Sequence, residues 1–170
     1  EKGEQWERAL AILAEMPDQS LRPNVISFNS AIGACSRCEQ WLRAVGMLAE
    51  MREQNLKPDV VSYNIAISAC KKVERWEWAV KLLVEMQQQG LKPDVISFNS
   101  AMSVCSTSGQ WELALLALVG MQEQRLEPDL ISYNAAISAC EKGAQWDWAL
   151  AMLSAIKENE MKPDVVSFNA

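Results

Sequence analysis

One nine-residue phrase, Leu56-Lys57-Pro58-Asp59-Val60-Val61-Ser62-Tyr63-Asn64, constrains this chain more than any other feature, because it recurs four more times, at 21–29, 91–99, 126–134 and 161–169. Its prolines fall at Pro23, Pro58, Pro93, Pro128 and Pro163, a step of 35 residues each time. Five tryptophans, Trp6, Trp41, Trp76, Trp111 and Trp146, keep the same step. A fixed period in this range is the signature of stacked supersecondary units, not of an ordinary globular core. Four full units run 25–59, 60–94, 95–129 and 130–164; a partial unit, 1–24, precedes them and the opening of another, 165–170, follows. The chain is expected to be a stretch of a longer array, since solenoids carry capping repeats at their natural ends.

The unit 60–94 reads in order. Val60, Val61, Tyr63, Ala66, Ile67 and Cys70 give an apolar face at helical spacing. Asp59 stands just before that run, where an N-cap belongs, and Ser62 follows three residues later. A first helix, A, is predicted over about 60–71. After a short break, Trp76, Ala79, Val80, Leu83 and Met86 recur on one face of a second helix, B, predicted over about 74–88. Gly90 suits its C-terminal stop and Pro93 prevents continuation. Such a hairpin cannot cover its apolar face alone, so its neighbours must. The fold class is all-α: an α-solenoid of stacked helix-turn-helix repeats forming a superhelix. Pro17 breaks the pattern and is expected to end the first helix B a turn early.

Composition excludes several chemistries. The five cysteines and absence of histidine leave no metal-ligand spacing, and no cofactor or catalytic constellation is legible. Cys35, Cys70, Cys105 and Cys140 share one repeat position, and Cys38 is extra. Helices pack about 8–10 Å apart, beyond the roughly 7 Å a disulfide spans, so the stacked cysteines are expected to be small buried residues. The tryptophans that open helix B read as packing wedges. No apolar stretch is long enough to cross a membrane.

The period, the Pro-Asp before each unit, the Val-Val-Ser-Tyr-Asn…Ile…Ala-Cys opening and the Glu-Met of helix B resemble the pentatricopeptide repeat family, plain 35-residue class. The resemblance covers essentially the whole chain. It implies single-stranded RNA binding with one base per repeat, read by a few side chains, and a setting in RNA metabolism of the mitochondrion or chloroplast. Numbering each unit 1 to 35, the family's base readers stand at positions 5 and 35. Here the pairs are Asn29 with Asp59, Asn64 with Asp94, Asn99 with Asp129, and Asn134 with Asp164; Asn169 opens a fifth. The family code associates Asn-plus-Asp with uracil, then cytosine, so the implied partner is a U-rich single strand. The resemblance also implies base sandwiching by position 2 (Ile26, Val61, Ile96, Ile131, Val166) and phosphate contact by position 13 (Lys2, Arg37, Lys72, Lys142), where Thr107 departs.

Each role has a plainer counterpart: the Asp is a helix cap, and position 2 fits a core. Asn is harder to explain by packing, being a poor helix former in five successive helices. Its amide offers both a donor and an acceptor, so by flipping it would meet either pyrimidine. The net charge of −6 is unusual for a nucleic-acid binder, but positions 1–13 hold five cations against two acids, leaving −9 for everything else. A weakly basic strip and an acidic exterior can therefore coexist, and local potential governs polyanion docking. A second reading keeps the fold for another use: a protein-binding solenoid subunit of a large organellar assembly.

Overall fold

A computed structural model describes residues 4–169. The described residues form α-helices and two short 3-10 turns. The B helices are α1 (Glu4–Glu15), α3 (Trp41–Glu53), α5 (Trp76–Gln88), α7 (Trp111–Glu123) and α9 (Trp146–Glu158). The A helices are α2 (Val25–Arg37), α4 (Val60–Ala69), α6 (Val95–Thr107), α8 (Leu130–Lys142) and α10 (Val165–Asn169). Helices α3, α5, α7 and α9 begin on their tryptophans, for α5 two residues later than the periodicity predicts, whereas α1 already runs at Glu4, ahead of Trp6. Helix α4 stops at Ala69, short of the predicted 71, because residues Lys71–Val73 tighten into a 3-10 turn. At Pro17 helix α1 gives way to a 3-10 turn, Pro17–Gln19, as its missing N–H demands.

Every A helix is started by the same device. Asp59, in extended conformation, accepts from the Ser62 amide at 2.8 Å, while the Ser62 hydroxyl accepts from the Asp59 amide at 3.1 Å. Asp94 with Ser97 and Asp129 with Ser132 repeat this capping box, as does Asn24 with Ser27. At the far end of each B helix the chain reverses through a left-handed residue. Asn55, Gly90, Arg125 and Glu160 occupy equivalent places with φ of 59°, 76°, 58° and 57°. The Leu56 amide then closes back on the Met51 carbonyl at 2.8 Å, the longer bond of a Schellman motif. Gly90 takes the turn that its sequence position suggests, and at the other three the closing bonds hold a non-glycine residue in the same conformation.

Small residues decide which helices approach. Ala31, Ala66, Ala101 and Ala136 at position 7, and the four stacked cysteines at position 11, are buried. They let α2, α4, α6 and α8 lie directly against one another. Each B helix meets the next hairpin mainly through its A helix. The A helices thus form one continuous row, and the wider B helices lie outside it. Phe28, Tyr63, Phe98 and Tyr133 from the A side, with Met51, Met86, Met121 and Ile156 from the B side, fill the seam between layers. Burial pushes the Cys70 and Cys105 thiols up to about 11, as inert core sulfhydryls should be.

The tryptophans are wedges only in part. Trp41, Trp76 and Trp111 are half-buried, and Trp146 lies mostly exposed. Trp111 shows what the wedge fits: a Cβ on Gly143, in the next hairpin's turn, would lie 2.3 Å from its Cδ1. Trp41 packs beside Trp78 with ring centroids 5.9 Å apart, and Arg75 caps the Trp41 ring at 5.6 Å. Among the described residues no helix is long and apolar enough to cross a membrane.

Candidate nucleic-acid interface

The row of A helices presents three side chains per unit on one surface. Position 2 is the most telling, because an apolar residue there was equally compatible with the core. Ile26, Val61, Ile96, Ile131 and Val166 are 74, 53, 63, 64 and 57% exposed. Five aliphatic side chains therefore stand in solvent at one 35-residue step, while in the four full units the residues around them at positions 4, 7 and 8 are buried. Consecutive A helices are about 8–10 Å apart, much more than the 3.4 Å rise of stacked bases. An aliphatic group at this spacing would fill the gap between two splayed bases.

Between these side chains lies the Asn–Asp constellation. The Asn29 Nδ2 donates to Asp59 Oδ1 at 3.2 Å. Asn64 reaches Asp94 at 3.2 Å, Asn99 reaches Asp129 at 3.1 Å, and Asn134 reaches Asp164 at 3.1 Å. All four predicted pairs are thus brought together, each across the junction between one A helix and the next. The side chain of Asn169 and the whole of Lys2 lie outside the described residues. The aspartates stay ionised. Burial would raise the Asp59 carboxyl, but the amide and hydroxyl of Ser62 and the Asn29 amide outweigh it and hold it below the usual carboxylate value. Asp94 and Asp129 are depressed by the same balance. For Asp164 the Ser167 amide and hydroxyl are the leading causes.

One residue of this constellation was legible only as a cap partner. Serine occupies position 3 of every unit, Ser27, Ser62, Ser97, Ser132 and Ser167, and the last four are fully buried. The hydroxyls of Ser62, Ser132 and Ser167 lie 2.6 Å from Oδ1 of Asn29, Asn99 and Asn134 respectively. The signal was in the sequence, as an invariant serine at the 35-residue step, but the contact crosses between units.

The cations divide. Arg37 lines a recess of about 660 Å³ with Asn29, Val61, Asn64, Asp94 and Ile96. Lys72 is turned to the preceding unit, donating to the Arg37 carbonyl and pairing with Glu39, both at 3.4 Å. Lys142 likewise donates to the Thr107 carbonyl at 3.4 Å. Both ammonium groups thus sit at the negative end of a neighbouring A helix. Thr107 bonds within its own helix, to the Val104 carbonyl at 2.8 Å. Lys71, at position 12 and not singled out from the sequence, lines the next recess beside Asn99, Asp129 and Ile131.

Comparison with known proteins agrees with this architecture. The model described as "PPR repeat family" matches residues 23–72 and 58–107, "Pentatricopeptide repeat domain" matches 3–37 and 118–170, and "PPR repeat" matches 96–126. Among solved structures, the pentatricopeptide repeat protein PPR10 in complex with an 18-nt psaJ RNA element superposes with a TM-score of 0.81 at 28% identity, over 97% of this chain and 24% of that one. PPR10 from maize in another crystal structure gives 0.74 at 29% identity, over 98% and 24%. The PPR domain of Arabidopsis thaliana protein-only RNase P 1, in complex with tRNA, gives 0.80 at 14% identity, over 96% and 86%, a likeness of fold alone. The chain thus spans about a quarter of the PPR10 chains it matches. No curated protein matches it. The repeat models together reach along the whole array that the helices describe, and the chain belongs to the pentatricopeptide repeat family.

Proposed function

We propose that the row of A helices binds single-stranded RNA, one base to each Asn–Asp junction, with a preference for uracil, and that the chain serves RNA metabolism in a mitochondrion or chloroplast. The observation that carries this reading is the exposed aliphatic residue repeated beside each Asn–Asp pair. A solenoid built only for packing has no use for five solvated isoleucines and valines in register. The likeness to PPR10 in complex with RNA supports an RNA ligand.

The uracil preference has a physical basis in the pair. With Asn Nδ2 held against Asp Oδ1, the second Nδ2 hydrogen is left for a base, and among the described residues the hydrogen bonds of these aspartates fall on Oδ1. The junction therefore offers a donor beside an anionic acceptor. Uracil presents N3–H flanked by two carbonyls and meets that pair in either direction, directly or through water. Cytosine presents one such arrangement only. Turning the amide to meet cytosine would set Oδ1 against the carboxylate, so the flip open to a free asparagine is opposed here. The modules are read from the 5′ end at Asn29–Asp59 to the 3′ end at Asn134–Asp164.

Arg37 and Lys71 face the groove, with Lys72 and Lys142 tethered beside it, so about three or four phosphates are met. The single-strand salt slope should be roughly −2 to −3. Binding of this chain to U-rich, C-rich and A-rich oligomers tests the proposal; equal affinity for all three would overturn it. The protein-binding reading is favoured by a different surface, where Val84 and Leu116 are exposed on the B helices around a recess of about 220 Å³. Contacts mapped to that face, with the A row empty, would favour it.

A further inference from the structure

We propose that the buried position-3 serines Ser62, Ser132 and Ser167 are positioning residues for base choice: each fixes which edge of the preceding unit's asparagine faces the groove. The inference rests on the RNA-binding reading above and extends it to residues that touch no base. At the first, third and fourth junctions the Asn, Asp and Ser form a closed ring of hydrogen bonds. At the third junction the Asn99 Nδ2 donates to Asp129 Oδ1 at 3.1 Å, the Ser132 hydroxyl donates to Asn99 Oδ1 at 2.6 Å, and the Asp129 amide donates to Ser132 Oγ at 3.2 Å. The first junction repeats it through Asn29, Asp59 and Ser62 at 3.2, 2.6 and 3.1 Å. The fourth does so through Asn134, Asp164 and Ser167 at 3.1, 2.6 and 3.1 Å.

The serine has one proton and two acceptors near it. Asp129 Oδ1, at 2.9 Å from the Ser132 hydroxyl, is already served by the Ser132 amide and by Asn99, so the proton goes to the nearer Asn99 Oδ1. That bond satisfies the amide oxygen inside the junction and leaves only an N–H for the groove. Without the hydroxyl, Asn99 Oδ1 would be enclosed with no donor, a costly state for a polar atom. Rotating the amide would free the oxygen into the groove at the cost of setting it against the carboxylate, so loss of the hydroxyl brings the two orientations closer in energy. In the rotated form the base would meet two acceptors in place of a donor and an acceptor, and uracil would lose its advantage. The second junction shows the ring open: the Ser97 hydroxyl lies 2.8 Å from Asp94 Oδ1 and Asn64 Oδ1 is buried without a partner, while the carboxylate alone holds the Asn64 amide at 3.2 Å.

The test separates positioning from capping, since the serine also serves the helix cap. Ser27 makes the same capping box with Asn24, and among the described residues its hydroxyl bonds only to Asn24, so Ser27→Ala supplies the cap loss by itself. Affinity is measured for a U-run oligomer and for the same oligomer carrying one C opposite the Asn99–Asp129 junction. Ser132→Ala should reduce the U-over-C ratio at that position about five- to tenfold, the weight of one hydrogen bond. Ser132→Thr should keep the ratio, and Ser27→Ala should lower thermal stability while leaving it unchanged. Side-chain amide exchange of Asn99, followed by NMR without RNA, should be slow in the parent and in Ser132→Thr and faster in Ser132→Ala. An unchanged ratio and unchanged exchange in a folded Ser132→Ala would overturn the positioning role. A parent chain with no U-over-C ratio at any junction would instead overturn the RNA reading, whatever the exchange experiment gave.

Discussion

Replacing Asp94 in two ways separates its duties as cap and as reader. Asp94 Oδ1 accepts from the Ser97 amide at 2.8 Å, from the Ser97 hydroxyl at 2.8 Å and from Asn64 Nδ2 at 3.2 Å. Asp94→Ala removes all three acceptances. Loss of the cap costs about 1 kcal/mol, and stranding the half-enclosed Asn64 amide adds about 1 kcal/mol more. At roughly 2–4 °C per kcal/mol for a chain of this size, the midpoint should fall by about 4–8 °C. Asp94→Asn behaves differently, and the chain contains its precedent: Asn24 builds the same capping box on Ser27, with the Ser27 amide 2.9 Å from Asn24 Oδ1. Asparagine keeps the acceptor and forfeits only the charge at the helix N-terminus, about 0.3–1 kcal/mol. The midpoint should therefore move by less than about 4 °C. Yet uracil affinity should drop as far as in Asp94→Ala, because the anionic Oδ2 that meets N3–H is gone in both. Circular-dichroism melts and oligomer titrations on the two variants give both numbers. An Asp94→Asn chain that melts with Asp94→Ala would refute the cap argument. One that binds uracil like the parent would refute the assignment of Oδ2 to the base.

Three further outcomes follow from the packing and the charges. Gly143→Ala should destabilise by about 1–3 kcal/mol, as overpacking does, because the new Cβ would meet the Trp111 ring at 2.3 Å; Gly46→Ala, with open space around it, should not, and denaturant midpoints of the two compare them directly. Arg125→Gly should stabilise by about 0.5–1 kcal/mol, since a left-handed φ of 58° is held there by a residue that disfavours it. The caps at Asp59, Asp94 and Asp129 ionise below the unfolded carboxyl value of about 3.9, so their stabilisation is fully present above it and is lost as pH falls through the depressed folded values; melts between pH 7 and 2 should show the loss beginning near pH 4 and reduced in Asp94→Asn.

The helices were legible because their signals are local. Apolar spacing, a cap residue and a proline all act within a few residues of the element they define, and repetition in phase removes ambiguity. What escaped was set by closure and by contacts between units. Helix α4 ends early and its neighbour α2 does not, although both share the Ala-Cys pattern at that point. The left-handed turn was read from Gly90, yet Asn55, Arg125 and Glu160 adopt it as well. Their conformation is imposed by the bond from the following amide back into the helix, which no single residue announces. Position 2 could not be assigned from spacing, since helical periodicity puts Val61 near the buried Tyr63 and Ala66. Only the approach of the next A helix, through alanine and cysteine, fixes which side of α4 is covered.

The proposed reading site is therefore a property of the junction and not of the repeat. Asn64 belongs to one helix, and Asp94 and Ile96 to the next; the recess they enclose with Arg37, Asn29 and Val61 draws on three consecutive A helices. Any change in the tilt between hairpins alters the Asn–Asp distance, which holds at 3.1–3.2 Å through all four junctions. The same bonds also tie neighbouring hairpins together, joined on the outer layer between α3 and α5 by Arg52, which bonds both Tyr63 and Glu85. A base that accepts from the asparagine and donates to the aspartate reinforces those bonds without displacing them. Occupancy of one junction should then stiffen its two hairpins and favour the spacing the next base requires, so the coupling between modules is carried by the stacking itself.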